Sequence, residues 1–120
     1  MRDHNKLRAF KLADDVAVMV YRVTREFPRE ELYGLTSQMR RAAVSVPSNI
    51  VEGQSRNTTK EYLHFLHNAR GSLEEVRYFL LLSFDLKFLK ENKYKELEQK
   101  YESASKMLNG LIKSIKLKLK

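Results

Sequence analysis

The sequence predicts an all-α protein, an antiparallel up-and-down four-helix bundle with its second helix kinked at Pro47. Three observations lead there. Apolar residues recur at intervals of three and four in four successive segments, the spacing that gathers side chains on one side of a helix. Only four glycines and two prolines punctuate 120 residues, and Pro28 and Pro47 both lie in the first half, so long stretches are free to run as helix. Period-two alternation is confined to the terminal IKLKLK, which reads as a fraying helix end or a short strand.

In the first segment Phe10, Ala13, Ala17, Val20, Thr24 and Phe27 form one row, and Ala9, Leu12, Val16, Met19 and Val23 form a second beside it. Pro28 should end this helix. The stretch PREELYGLT connects to helix two, with Thr36 placed to cap it. Leu35, Met39, Ala43, Val46 and Ile50 keep the helical period straight past Pro47. A proline inside a helix removes one amide donor and crowds the carbonyl four residues back, at a cost of about 3 kcal/mol. Ser45, Ser48 and Asn49 are suited to supply local hydrogen bonds there.

After GQSRN, Thr58 and Glu61 fit a capping box that opens helix three. Its stripe is Tyr62, Leu66, Ala69, Leu73, Val76 and Leu80, running on to about Leu89. The last turns, FLLLSFDLKFL, are apolar nearly all round. Asn92 is placed to cap helix four, whose stripe is Tyr94, Leu97, Tyr101, Ala104, Leu108, Leu111 and Ile115. The whole chain, 1–120, is expected to be one domain with ends that fray at about 1–8 and 116–120.

Composition narrows the function classes. Without cysteine there is no disulfide framework, thiolate nucleophile or cysteine-bound metal. The N-terminus lacks the apolar run of a signal peptide, and no segment approaches a membrane span, so a soluble cytoplasmic protein is expected and the Asn57-Thr58-Thr59 sequon is incidental. The net charge of +8 is uneven: residues 87–120 hold ten lysines against four glutamates. Such an excess favours polyanions through phosphate contacts and counterion release.

Catalytic and metal readings find little support. Ser45 and Ser48 have no histidine in their segment and no nucleophile-elbow pattern, leaving only the distant His64 or His67 as a base. Glu61 and His64 have the Glu-x-x-His spacing of di-iron bundles, but in one copy where two are needed. Glu74 and Glu75 read as solvated carboxylates within helical reach of Arg70 and Arg77. No enzyme activity, cofactor or metal site is expected.

The residues Phe27-Pro28, Tyr33-Gly34-Leu35, Gln38, Arg40-Arg41-Ala42-Ala43, Pro47-Ser48-Asn49-Ile50, Glu52-Gly53 and Gly71-Ser72-Leu73 occur in that order. Together they resemble the bacterial four-helix-bundle family of proteins encoded in intervening sequences of large-subunit ribosomal RNA genes. The resemblance covers about residues 7–115, departing at Val51, where alanine is more usual, and in a shorter, lysine-rich end. It implies a homo-oligomer, a ring of five bundles, with no established enzymatic activity. Related bundles serve as accessory factors to the reverse transcriptases of diversity-generating retroelements, so RNA or a reverse transcriptase is an implied partner.

Two sets of site residues follow. Arg40, Arg41 and Arg56 with Lys113, Lys116, Lys118 and Lys120 form the candidate polyanion surface. The bland reading beside it is a solvated basic face, with Arg41 paired to Glu52 or to a neighbouring chain and no aromatic rings interleaved. The second apolar rows of helices one and two and the apolar end of helix three exceed what one core needs. Val44, Pro47, Val51, Leu81, Phe84 and Phe88 are therefore the candidate oligomer interface.

Overall fold

The first helix, α1, spans His4–Thr24 and stops where a threonine turns back on its own backbone. Thr24 Oγ1 donates to the Val20 carbonyl at 2.7 Å, and two turn hydrogen bonds carry the chain on to Phe27. The computed structural model describes residues 4–119. A short 3-10 turn at Arg29–Glu31 follows Pro28. The remaining helices are α2, Leu35–Gln54, α3, Thr59–Asp85, and α4, Glu91–Leu117. Among the described residues there is no strand. Of the stretches expected to fray, 4–8 and 116–117 are helical and 118–119 form a turn, while 1–3 and 120 lie outside the described residues.

The helix ends correct three expectations. Thr36 does not cap α2: it is buried inside the first turn, and the amide of Leu35 is met at 3.1 Å by the Glu31 carboxylate reaching forward from the 3-10 turn. A longer acidic side chain from the preceding element does the work of the expected hydroxyl. Helix α3 ends at Asp85, short of Leu89, because Lys87 adopts a left-handed conformation with φ 64°. Phe88 N then donates to Ser83 O at 2.9 Å and Lys87 N to Phe84 O at 3.0 Å, the paired closure of a Schellman motif. Helix α4 begins at Glu91, one residue before Asn92, with Lys90 at the cap position and no side-chain cap bond. The α3 start is as expected in its hydroxyl, since Thr58 Oγ1 accepts from Glu61 N at 3.1 Å. The returning Glu61 carboxylate accepts from that same hydroxyl at 3.0 Å.

The four stripes make one core. Met39, Ala43, Val46 and Ile50 of α2 are fully enclosed, as are Leu66, Ala69, Leu73, Val76 and Leu80 of α3 and Leu97 and Leu108 of α4. Each helix packs on two neighbours in the cyclic order α1, α2, α3, α4. The molecule measures 47 × 25 × 21 Å, and its long dimension matches a 27-residue helix of about 40 Å plus its links, so the helices lie along it. Across the α2/α3 seam, Met39 meets Ser83, Ser45 meets Ser72, and Gly53 meets Tyr62 and Phe65. Residue numbers rise on one helix as they fall on the other. Across α3/α4 the same reversal joins Arg70 to Asn109, Glu74 to Tyr101 and Phe84 to Tyr94.

Helix α2 continues as α-helix through Pro47. Nearby, Asn49 Nδ2 donates to the Ser45 carbonyl at 2.8 Å and to Ser45 Oγ at 2.9 Å. The local bonds thus gather on Ser45, and its hydroxyl also reaches Ser72 Oγ of α3 at 2.8 Å. Ion pairs such as Arg56–Glu52 at 2.7 Å, Lys93–Glu96 at 3.5 Å and Lys95–Glu91 at 3.6 Å each join residues three or four apart on one helix.

Candidate nucleic-acid interface

The α2 arginines divide by what their side chains already touch. Arg40 is half-buried; its Nε donates to Thr24 Oγ1 at 2.8 Å and its guanidinium lies 4.8 Å from the centre of the Tyr21 ring. This side chain fastens α2 to α1. Arg56 is bound to Glu52 and lies 4.6 Å from the centre of the Phe65 ring. Glu52 is therefore engaged by Arg56 rather than by Arg41. Arg41 is exposed, beside a shallow groove between α2 and α3 lined by Ser45, Ser72, Glu75 and Phe79. The rings against Arg40 and Arg56 come from α1 and α3, so scanning the charges along α2 could not reveal them.

The basic excess has a different centre. After Glu102, α4 carries Lys106, Lys113 and Lys116, with Lys118 just past its end, and no carboxylate. Lys113 and Lys116 share the flank of α4 that turns toward α3, while Lys106 and Lys118 line the flank toward α1 with Asn5 and Lys6. Lys120 lies outside the described residues. Opposite the first flank, the N-terminal half of α3 brings up His67 and Arg70, with His64 near enough to His67 to act on its charge; none of the three was among the expected site residues. Arg70 bridges the helices: Nη1 donates to Asn109 Oδ1 at 3.2 Å, and Nη2 lies 3.0 Å from His67 Nδ1. Burial first, then the charges of Arg70, Lys116 and His64, hold the His67 pKa below its ordinary 6.5. This edge is a cluster of cations gathered from two helices. The only sequence signal for it is the run without acids after Glu102.

The other half of the α3/α4 seam is electrically balanced. Glu74 is not simply solvated: its carboxylate accepts a short hydrogen bond from the Tyr101 hydroxyl, with Arg77 at 4.0 Å. Burial and that carboxylate together raise the Tyr101 pKa above 10.0.

Of the candidate interface residues, Val44, Val51 and Leu81 are exposed at 42%, 49% and 46%. Pro47 is buried in the bundle and has no surface to offer a partner. Phe84 is half-buried and stacks on Tyr94 at 4.6 Å, and Phe88 packs against Phe27 at 5.7 Å. The second row of α1 is likewise spent inside, since Ala9, Val16, Met19 and Val23 are buried. A helix flanked by two neighbours needs that wider apolar arc. Val18 and Tyr21 of α1 remain exposed instead, on the outer side that faces α2 and its Val44 and Val51.

The serine hydroxyls face other partners than a histidine. Ser45 is engaged by Ser72 and Asn49; His67 lies on the α4 side of α3, and His64 packs edge-on against Phe65 at 5.7 Å. Among the described residues no group of three or more His, Asp or Glu side chains is arranged to hold a metal ion. No described helix is long and apolar enough to cross a membrane.

Fold and surface together define an all-helical bundle protein whose distinguishing external feature is a cationic edge. The chain belongs to the 23S rRNA-intervening sequence protein family, whose model matches residues 5–110. Its fold is similar to that of a solved protein of unknown function from the S23 ribosomal protein family of Bacteroides thetaiotaomicron, with a TM-score of 0.84. The two share 18% identity over 91% of this chain and 98% of the other. Neither description names a catalysed reaction. Comparison with curated proteins finds no match.

Proposed function

We propose that this protein is a non-enzymatic, cytoplasmic homo-oligomer that offers a basic surface to RNA or to a protein that handles RNA, a reverse transcriptase included. Each subunit is an antiparallel up-and-down bundle with α2 bent at Pro47, and five subunits close a ring. The observation that carries the reading is the α3/α4 edge, where Lys113 and Lys116 of α4 adjoin Arg70 of α3 and the last turns of α4 hold no carboxylate. Repetition around a ring multiplies a weak phosphate contact into useful avidity. Supporting the assembly, Val18, Tyr21, Val44 and Val51 leave apolar surface uncovered along one side of the bundle.

Retention of a labelled single-stranded RNA on a filter, measured from low to high salt, tests the binding. Tight retention at low salt that falls steeply with added salt, and is weakened by the double substitution Lys113→Gln/Lys116→Gln, is the expected result. Retention indifferent to both removes the reading and leaves a protein-partner scaffold. Sedimentation of the wild type and of Val44→Glu/Val51→Glu tests the ring: five times the monomer mass should fall to that of smaller species.

A further inference from the structure

We propose that His67 is a proton-sensitive latch on the cationic edge: neutral, it holds the Arg70 guanidinium against α4, and protonated, it releases Arg70 and adds its own charge, so that the edge grips a phosphodiester backbone more tightly in acid. This rests on the RNA-binding reading above and names the regulation of that same surface.

The geometry fixes the protonation state of the latched form. A guanidinium has donors and no acceptor, so at 3.0 Å from Arg70 Nη2 the His67 Nδ1 must be the acceptor, with its lone pair free and the ring proton on Nε2. The other arm of the same guanidinium donates to Asn109 Oδ1 on α4, and Asn109 Nδ2 is itself turned toward Ser105 Oγ at 3.3 Å. Arg70 is thereby laid along the seam between the helices. Adding a proton to Nδ1 sets one N–H against another, and the contact is lost.

The surroundings give the latch its direction. The charged groups acting on His67 are Arg70 and His64 on its own helix and Lys116 on α4, all basic. On the opposite flank of α3, toward α2, Arg56 and Glu52 neutralise each other. Glu74, further along the same flank of α3, is engaged by Tyr101, and no carboxylate is among the groups acting on His67, so protonation is opposed by burial and by three neighbours of like sign. A bound phosphate reverses that opposition. Binding must then take up a proton, and by linkage the affinity must rise as the pH falls through the titration of His67.

The test is the affinity of the full chain for a fixed single-stranded RNA, read by fluorescence anisotropy at pH 7.5 and 5.5 at one ionic strength. The wild type should bind roughly fivefold more tightly at the lower pH, the size of one to two exposed ion pairs. His67→Gln, whose amide oxygen can accept from Arg70 at either pH, should lose most of that gain, whereas His64→Gln should keep most of it. The imidazole nitrogen shifts of the free protein supply a readout independent of RNA, with His67 bearing its proton on Nε2 at pH 7.5 and the Arg70 guanidinium signals moving as it titrates. Binding that does not change with pH, or a gain equal in wild type and His67→Gln, overturns the latch while leaving RNA binding standing. No binding at either pH overturns both. An Nδ1-protonated neutral ring overturns the latch whatever the RNA does.

Discussion

Arg40 Nε donates to Thr24 Oγ1 across the α1/α2 seam, and the Thr24 hydroxyl in turn donates to the Val20 carbonyl. The guanidinium also covers the Tyr21 ring. An arginine that reads as part of a polyanion surface is therefore committed to holding two helices together. Arg40→Ala should lower unfolding stability by about 1–2 kcal/mol, since a charge-assisted hydrogen bond and its packing are lost at a half-buried site. Urea denaturation measures it, and RNA retention should be little changed, in contrast to Lys113→Gln/Lys116→Gln.

Gly53 and Gly71 should respond to alanine with opposite signs. A Cβ on Gly53 would sit 2.8 Å from Phe65 Cβ and 2.9 Å from Tyr62 Cδ1, so Gly53→Ala must push α2 from α3 and should cost about 1–3 kcal/mol. Gly71 lies on an exposed face of α3 with nothing within 4 Å of the added atom. Gly71→Ala should stabilise by about 0.5–1 kcal/mol through helix propensity. Thermal melts of the two variants should move in opposite directions.

Lys87 closes α3 in a left-handed conformation that costs an L-residue about 1 kcal/mol or more and glycine little. Its backbone bond to Phe84 and the Phe88 bond to Ser83 do not depend on the side chain. Lys87→Gly should therefore raise the melting temperature, whereas Lys87→Val should lower it, because a β-branched residue tolerates positive φ poorly.

Stability should fall at both ends of the pH scale for identifiable reasons. His67 is depressed below 6.5 in the folded protein by burial first and neighbouring cations second. As the pH drops through about 6.5 the unfolded chain takes up that proton before the folded one. Stability is thus full above this range and is lost on acidification, until the folded histidine titrates too. Tyr101 and Tyr94 are raised above 10.0, burial being the first cause in each, joined by the carboxylates of Glu74 and Glu98. Above about pH 10 the unfolded phenols ionise first, so stability is lost as the pH rises further. Melting temperatures of wild type and His67→Gln between pH 5 and 8, and of Tyr101→Phe between pH 9 and 11, check the two signs.

The bundle was legible in the sequence because burial leaves a period. The Met39 and Tyr62 rows were readable one helix at a time and are buried as read. What was not legible depends on which helices adjoin and at what height. Arg40 looks like a surface charge until Thr24 and Tyr21 of another helix are placed beside it. His67 and Lys116 are 49 positions apart in the chain, so each polar face read alone resembles a solvated one. Pro47 and the second row of α1 were read as spare apolar surface because a helical projection counts residues, while the width of the buried arc is set by the number of neighbours a helix touches.

Ion pairs such as those of Arg56, Lys93 and Lys95 brace single helices and do not lash one helix to the next. Concentrated electrolyte thus finds little to loosen where the rods meet, because apolar side chains and short-range polar links set their alignment. In a titration with potassium chloride, the architecture and the grip on a charged polymer should part company: the first persists at ionic strengths that abolish the second. Ionic strength becomes a dial that acts on recognition alone.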